Sequence, residues 1–174
     1  MYHQPALLHE CIEGLSINPS GTYADLTFGG GGHSREILSK LNADGRLLAF
    51  DQDEDAISNT IDDDRFTLVN ENFRYLKNFL RLHKAFPVDG ILADLGISSH
   101  QIDTPQRGFA TRFEGPLDMR MARSQGITAS DMVNTYPEEK LLSVFRLYGE
   151  ISNARQLAAR IVEARIKPIT TTGE

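Results

Sequence analysis

Residues 22–51, TYADLTFGGGGHSREILSKLNADGRLLAFD, constrain the fold more than any other stretch of the chain. TYADLTF is rich in apolar, aromatic and β-branched side chains and stops at four glycines, the pattern of a buried parallel strand entering a tight turn. SREILSKL places Ile37, Leu38 and Leu41 at helical spacing, with Ser34 as the predicted N-cap. Residues 42–45 read as a turn, and residues 46–50 as a second apolar strand that ends on Asp51. The unit is β-α-β, with a glycine loop at its first switch and a carboxylate at the tip of its second strand.

That order of elements carries chemistry. Gly29, Gly30, Gly31 and Gly32 have no Cβ, so the backbone can turn sharply and a ligand can press against it. Amide groups at the start of the following helix favour a negative group. Asp51 falls 19 residues after Gly32, and an acid at about that distance accepts hydrogen bonds from ribose hydroxyls in nucleotide-binding βαβ units. A dinucleotide fingerprint wants a third glycine where Ser34 or Arg35 stands, which disfavours NAD without excluding it. S-adenosylmethionine needs no pyrophosphate cradle. Its carboxylate, amine and ribose diol suit a short glycine loop and an acid.

The remaining strands repeat the pattern. Residues 65–69 read as a third strand and residues 88–93 as a fourth, after a break at Pro87. Phe73 follows the third strand and is placed to stack on an adenine. It also begins a helical stripe with Leu76, Phe79, Leu80 and His83, on which His83 reads as a packed histidine. Asp94 stands at the tip of the fourth strand. In a doubly wound sheet the carboxyl ends of the strands line one crevice, so the glycine loop, Asp51 and Asp94 are expected to converge. Residues 52–61 read as a short helix. Residues 1–21 form an amphipathic helical pattern closed by Gly14, with Cys11 on its apolar side and with His3 and His9 as structural or solvent-facing groups.

Residues 102–126 have little periodicity and many Gly, Pro and Arg residues. They read as a long functional loop, with Phe109, Phe113, Leu117, Met119 and Met121 to bury. Basic groups interleaved with aromatics can hold RNA, and Arg107, Arg112 and Arg120 are the candidate phosphate contacts. Three helical patterns follow, at residues 129–134, 137–148 and 151–166. The second has Pro137 at its predicted first position and stops at Gly149.

The chain has 174 residues and a net charge of −6, which argues against a generic nucleic-acid binder. The average hides a polarity. Eight acids and one arginine lie in residues 51–71, whereas four arginines stand against two acids in residues 107–123, and residues 155–167 carry four basic residues against Glu163. One basic face towards a phosphate backbone is consistent with this distribution. The single cysteine permits no internal disulfide and suits a reducing cytoplasm. No apolar run reaches the length of a membrane span, and no leader pattern is seen.

With TFGGGGHS, LLAFDQD, DLGISSHQID and RGFATRFEGPLDMRM in view, the chain resembles the ribosomal RNA small subunit methyltransferase H family, which methylates cytosine N4 with S-adenosylmethionine. The resemblance runs over essentially all 174 residues. It implies a Rossmann-like α/β domain carrying an inserted helical domain. The N-terminal part of the methyltransferase domain would occupy residues 1–126 and an incomplete insertion residues 127–174. It implies cofactor contacts at Gly31, Gly32, His33, Asp51, Phe73, Asp94 and Gln101, of which His33 and Gln101 rest on the resemblance alone. Two departures stand out. His100 occupies the place after the paired serines where the family usually has proline. Family members also continue past residue 174, so residues 170–172 are expected to cap a further helix, and the fourth strand is expected to lie at an open edge of the sheet.

The expected chemistry is methyl transfer to a cytosine amine, with Asp94, Ser98 and Ser99 as candidates to polarise the N–H and no metal. Ribosomal RNA is the expected partner, and pairing of two copies through the open edge is a further expectation. The other readings are a non-catalytic RNA-binding or assembly fragment and a nicotinamide-dependent oxidoreductase.

Overall fold

The structure is a computed structural model that describes residues 5–174; His3 lies outside the described residues. These fall into two compact units, one running up to Ser98 and one spanning Ser99–Glu174.

The first unit is an α/β layer structure. Helix α1 (Leu8–Leu15) leads into β1 (Thr22–Asp25), α2 (Gly32–Lys40), β2 (Arg46–Phe50), β3 (Phe66–Val69), α3 (Leu76–Leu82) and β4 (Gly90–Leu92). The four strands form one parallel sheet in the order β3-β2-β1-β4. Strand β2 is the centre of the unit. Its side chains alternate between the faces as a strand requires. Leu47 and Ala49 join Tyr23, Phe28, Ile37, Leu38 and Leu92 on one side, where Cys11, Ile12 and Leu15 of α1 pack against them. Leu48 and Phe50 join Val69, Leu80 and Ala85 on the other, with Phe79 of α3. Both faces of the sheet are covered, which explains why the strand reads as a continuous apolar run rather than an alternating one. Fully burying one such Leu or Phe is worth roughly 1.5–3 kcal/mol.

Several element ends differ from those predicted, each for a local reason. Strand β1 stops at Asp25 rather than Phe28 because the Asp25 carboxylate accepts a hydrogen bond from Thr27 N (3.0 Å) and curls the chain. Pairing continues past the curl through Leu26 N to Leu92 O and Phe28 N to Phe50 O, both 2.9 Å. Helix α1 passes through Gly14 and ends on Ser16, which adopts the left-handed conformation (φ 46°). The helix expected over residues 52–61 is a 3-10 turn, Glu54–Asn59, started by the Asp53 side chain accepting from Asp55 N. His83 closes α3, with its ring stacked on Phe79 at 6.5 Å, and His9 is exposed.

The second unit contains α4 (Ser99–Asp103), a 3-10 turn (Pro105–Arg107), α5 (Ala129–Thr135), α6 (Glu138–Leu147) and α7 (Ala154–Ala164). Thr128 and Asp131 form a reciprocal capping box at α5. Pro137 occupies the N-cap of α6 rather than its first turn. Arg165, after α7, donates to the carbonyls of Val133 and Tyr136 and so ties α7 to α5 (3.1 and 2.6 Å). Residues 170–172, expected to cap a further helix, pair here with residues 115–117. Thr171 forms an antiparallel bridge with Pro116, Leu117 N donates to Thr170 O (2.9 Å) and Thr172 N to Gly115 O (3.0 Å). Among the described residues, no helix is long and apolar enough to cross a membrane.

Candidate functional site

The glycine loop of the first unit is built by its neighbours. Gly29 and Gly31 hold φ values of 50° and 77°, a region that L side chains rarely adopt. Space is also limiting at Gly31, where a Cβ would approach the Phe28 ring to 2.9 Å, and at Gly32, where it would collide with Pro5. Gly31 is the N-cap of α2. Ser34, predicted for that role, lies inside the first turn instead, fully buried.

The reason is Asp25. Its carboxylate is 0% exposed and accepts from Ser34 Oγ (2.7 Å) and from Thr27 N. Burial pushes the Asp25 carboxyl above its ordinary value, against the lowering effect of the Ser34 and Thr27 hydrogen bonds. The pairing of Ser34 with Asp25 was not anticipated from the sequence. The signal was available, because Asp25 closes an apolar stretch of strand, as Asp51 and Asp94 do.

Asp51 stands just past the tip of β2 and is joined to the loop. Its Oδ2 accepts from Gly29 N (2.8 Å) and its Oδ1 from Asp53 N (2.9 Å). The convergence of glycine loop and acid is therefore a direct hydrogen bond. Asp94, past the tip of β4, is exposed, and its amide donates to Thr27 Oγ1 (2.8 Å), which ties the ends of β1 and β4 together. The His33 side chain is buried and its Nε2 donates to Ala6 O (3.1 Å). Phe73 opens a 3-10 turn after β3 and is 38% exposed. Beside it, Asn72 Nδ2 donates to Gln52 Oε1 (2.7 Å), and Asn70 Nδ2 donates to Asp51 O (2.8 Å). Ser98 is half-buried at the end of this unit.

In the second unit, Ser99 is exposed at the start of α4, and His100 and Gln101 lie within that helix. Gln101 is 5% exposed, with Nε2 3.3 Å from Met121 Sδ. The three arginines expected to meet phosphate have different surroundings. Arg107 is 1% exposed, and its guanidinium donates to the carbonyls of Arg120 (3.0 Å) and Met121 (3.1 Å). Met119 N in turn donates to Arg107 O (2.9 Å). Arg107 is thus the interior peg of its loop and not part of an outward basic face. Arg120 grips Asp118 as a two-pronged fork (2.9 and 2.7 Å), which holds the Asp118 carboxyl below its usual range. Arg112 is exposed, pairs with Asp103 and lies over the Phe113 ring at 4.9 Å. Only Arg112 of the three presents an exposed guanidinium.

The comparisons with known proteins agree with one another. The chain is 59% identical over 174 residues to the ribosomal RNA small subunit methyltransferase H of Bacteroides thetaiotaomicron, covering 99% of this chain and 57% of that protein. It is 60% identical to the protein of the same name from Bacteroides fragilis, with the same coverage. It is 59% identical to that of Flavobacterium johnsoniae, covering 58% of it. The chain therefore spans less than two thirds of the length of these relatives. The MraW methylase family matches residues 1–174. With its parallel sheet, its glycine loop bonded to the acid of the next strand, and this match along its whole length, the chain belongs to the MraW methylase family.

Proposed function

We propose that this chain is the N-terminal part of an enzyme that transfers the methyl group of S-adenosylmethionine to the N4 amine of a cytosine in small-subunit ribosomal RNA. The observation that carries the reading is the Gly29 N to Asp51 Oδ2 hydrogen bond at the carboxyl end of a parallel sheet, in a chain whose relatives are named as ribosomal RNA methyltransferases. Residues 1–126 would supply the N-terminal part of the cofactor domain and residues 127–174 the start of a helical insertion. The setting would be cytoplasmic.

In this reading Gly31, Gly32 and the amide of His33 face the amino-acid end of the cofactor, where the start of α2 favours its carboxylate. Asp51 accepts from the ribose diol, Phe73 lies against the adenine, and Asp94 borders the methyl end. Gln101 joins this set on the resemblance alone. The cofactor supplies an activated methyl group on a sulfonium centre. The cytosine amine is a weak nucleophile because its lone pair is delocalised into the ring. Catalysis then rests on in-line positioning, with an acceptor drawing on the N–H as the amine attacks. Asp94 and the Ser98–Ser99 hydroxyls are the acceptors we assign. The target base must be unstacked to reach them.

Calorimetry with S-adenosylmethionine and with NAD tests the cofactor. Selective binding of NAD overturns the reading in favour of an oxidoreductase. A methyl-transfer assay on small-subunit ribosomal RNA, with this chain and with a full-length version, tests the reaction. RNA binding without transfer by the full-length version identifies a non-catalytic RNA-binding protein instead.

A further inference from the structure

We infer that Asn59 and Arg35 are positioning residues that hold the glycine loop in its ligand-ready shape from outside the site. Asn59 Nδ2 donates to Gly29 O (3.0 Å), and Arg35 Nη1 donates to Gly30 O (2.6 Å). Arg35 Nη2 also reaches Asn59 O (3.3 Å), so the two side chains form one bracket across the loop. Both polar ends of Gly29 are then held from the segment that follows β2. Its N–H is taken by Asp51 and its C=O by Asn59, at the end of the 3-10 turn Glu54–Asn59.

The physical need for such a bracket is entropic. Four consecutive glycines sample more backbone conformations than any other tetrapeptide, so ordering them carries a large cost in conformational entropy. A loop ordered only by its ligand would subtract that cost from affinity. A loop ordered in advance does not. Asp51 cannot reveal this contribution on its own, because its carboxylate both supports the loop and is the expected ribose acceptor. Asn59 and Arg35 reach the loop through its carbonyls, so they separate support from ligand contact.

The inference rests on the cofactor reading, and its test keeps the two apart. Titrate S-adenosylmethionine, and separately adenosine, into this chain and into Asn59→Ala, Asn59→Asp and Arg35→Lys. Asn59→Asp keeps the side-chain shape and removes the donor; Arg35→Lys keeps the charge and gives up the bracket. Both Asn59 variants are expected to bind S-adenosylmethionine roughly three- to tenfold more weakly, the effect of one neutral hydrogen bond. Arg35→Lys is expected to show a smaller loss. Adenosine, which lacks the amino-acid end, is expected to bind all four proteins alike. Unchanged affinity for S-adenosylmethionine in the variants overturns the bracket and leaves the cofactor reading standing. Equal loss for both ligands, or a lowered melting temperature that accounts for the loss, makes the residues merely structural and also overturns it. Failure of the unaltered chain to bind S-adenosylmethionine removes the cofactor reading and the bracket together.

Discussion

Asp51→Ala removes two functions at once, because one carboxylate holds Gly29 N and Asp53 N and is the expected partner of the ribose. Leaving such partners unpaired costs on the order of 1–3 kcal/mol, and we expect S-adenosylmethionine affinity to fall by that amount. Unchanged affinity in a folded variant, measured by calorimetry, would remove Asp51 from the site. Asp25 and Asp63 give opposite dependences on pH. Burial raises the Asp25 pKa above 3.8 in the folded state, so the folded protein holds the proton more tightly than the unfolded chain. Stability from Asp25 is therefore greatest below 3.8 and is lost as pH rises through its folded value. Asp25→Asn keeps an acceptor for Thr27 N and presents an amide donor to Ser34. Its melting temperature relative to the unaltered protein should rise as pH increases from 3 towards 7; a constant difference would show that Asp25 does not titrate between the two states. Asp63 runs the other way. The hydrogen bond and charge of Arg65 lower it from 3.8 to about 2, so its contribution is present above 3.8 and lost as pH falls towards 2.

The loop between α4 and α5 shows how an element without periodicity is stabilised. Arg107 supplies at its centre what a helix or strand would supply by backbone pairing, donating to two carbonyls of the returning chain. The carbonyls of Ile169 and Thr170 complete the arrangement by accepting from Ser130 Oγ and Asn134 Nδ2 and from Leu117 N. Arg107→Ala removes a donor from two part-buried carbonyls, and we expect it to destabilise this unit by about 1–3 kcal/mol, read as a shift in denaturation midpoint. Arg112→Ala is expected to do little to stability, because an exposed ion pair is worth little. In a full-length version it should instead weaken RNA binding and flatten its salt dependence, as one phosphate contact is lost. If the salt slope is unchanged in Arg112→Ala and in a variant that also carries Arg120→Ala, the RNA face lies elsewhere. Residues 155–167, with exposed Arg155 and Arg160, would be the next place to look.

At the scale of the whole molecule, the sheet order places β4 at one edge of the four strands, next to β1 alone among the described strands. Ile91, in its middle, is 47% exposed. An apolar strand with one free row of N–H and C=O groups pairs readily with another chain. The relatives continue well beyond the length of this chain. We therefore expect the 174-residue chain on its own to self-associate, and to transfer methyl groups more weakly than a full-length version. Sedimentation together with a turnover assay checks both. A stable monomer with full turnover would show that the edge is closed by packing other than strand pairing.

The sequence by itself determined the sheet and the end at which the glycine loop meets Asp51. The strand, glycine run, helix, strand and acid of residues 22–51 follow from side-chain periodicity and glycine's lack of a Cβ, both local properties. Central burial of β2 was legible for the same reason, since RLLAF carries apolar side chains towards both faces. Tertiary structure decided what depended on distant partners. Ser34 reads as a cap from its neighbours and becomes a buried donor because Asp25, nine residues away in sequence, lies beneath it. Asn59 looks like an ordinary turn residue until the fold brings it to Gly29 O, thirty residues earlier. Arg107 and Arg112 are alike in sequence, each a basic residue near an aromatic one. Only the folded loop distinguishes them, since burial is set by where the chain returns, and a guanidinium enclosed by carbonyls becomes a structural group while an exposed one remains available to a phosphate.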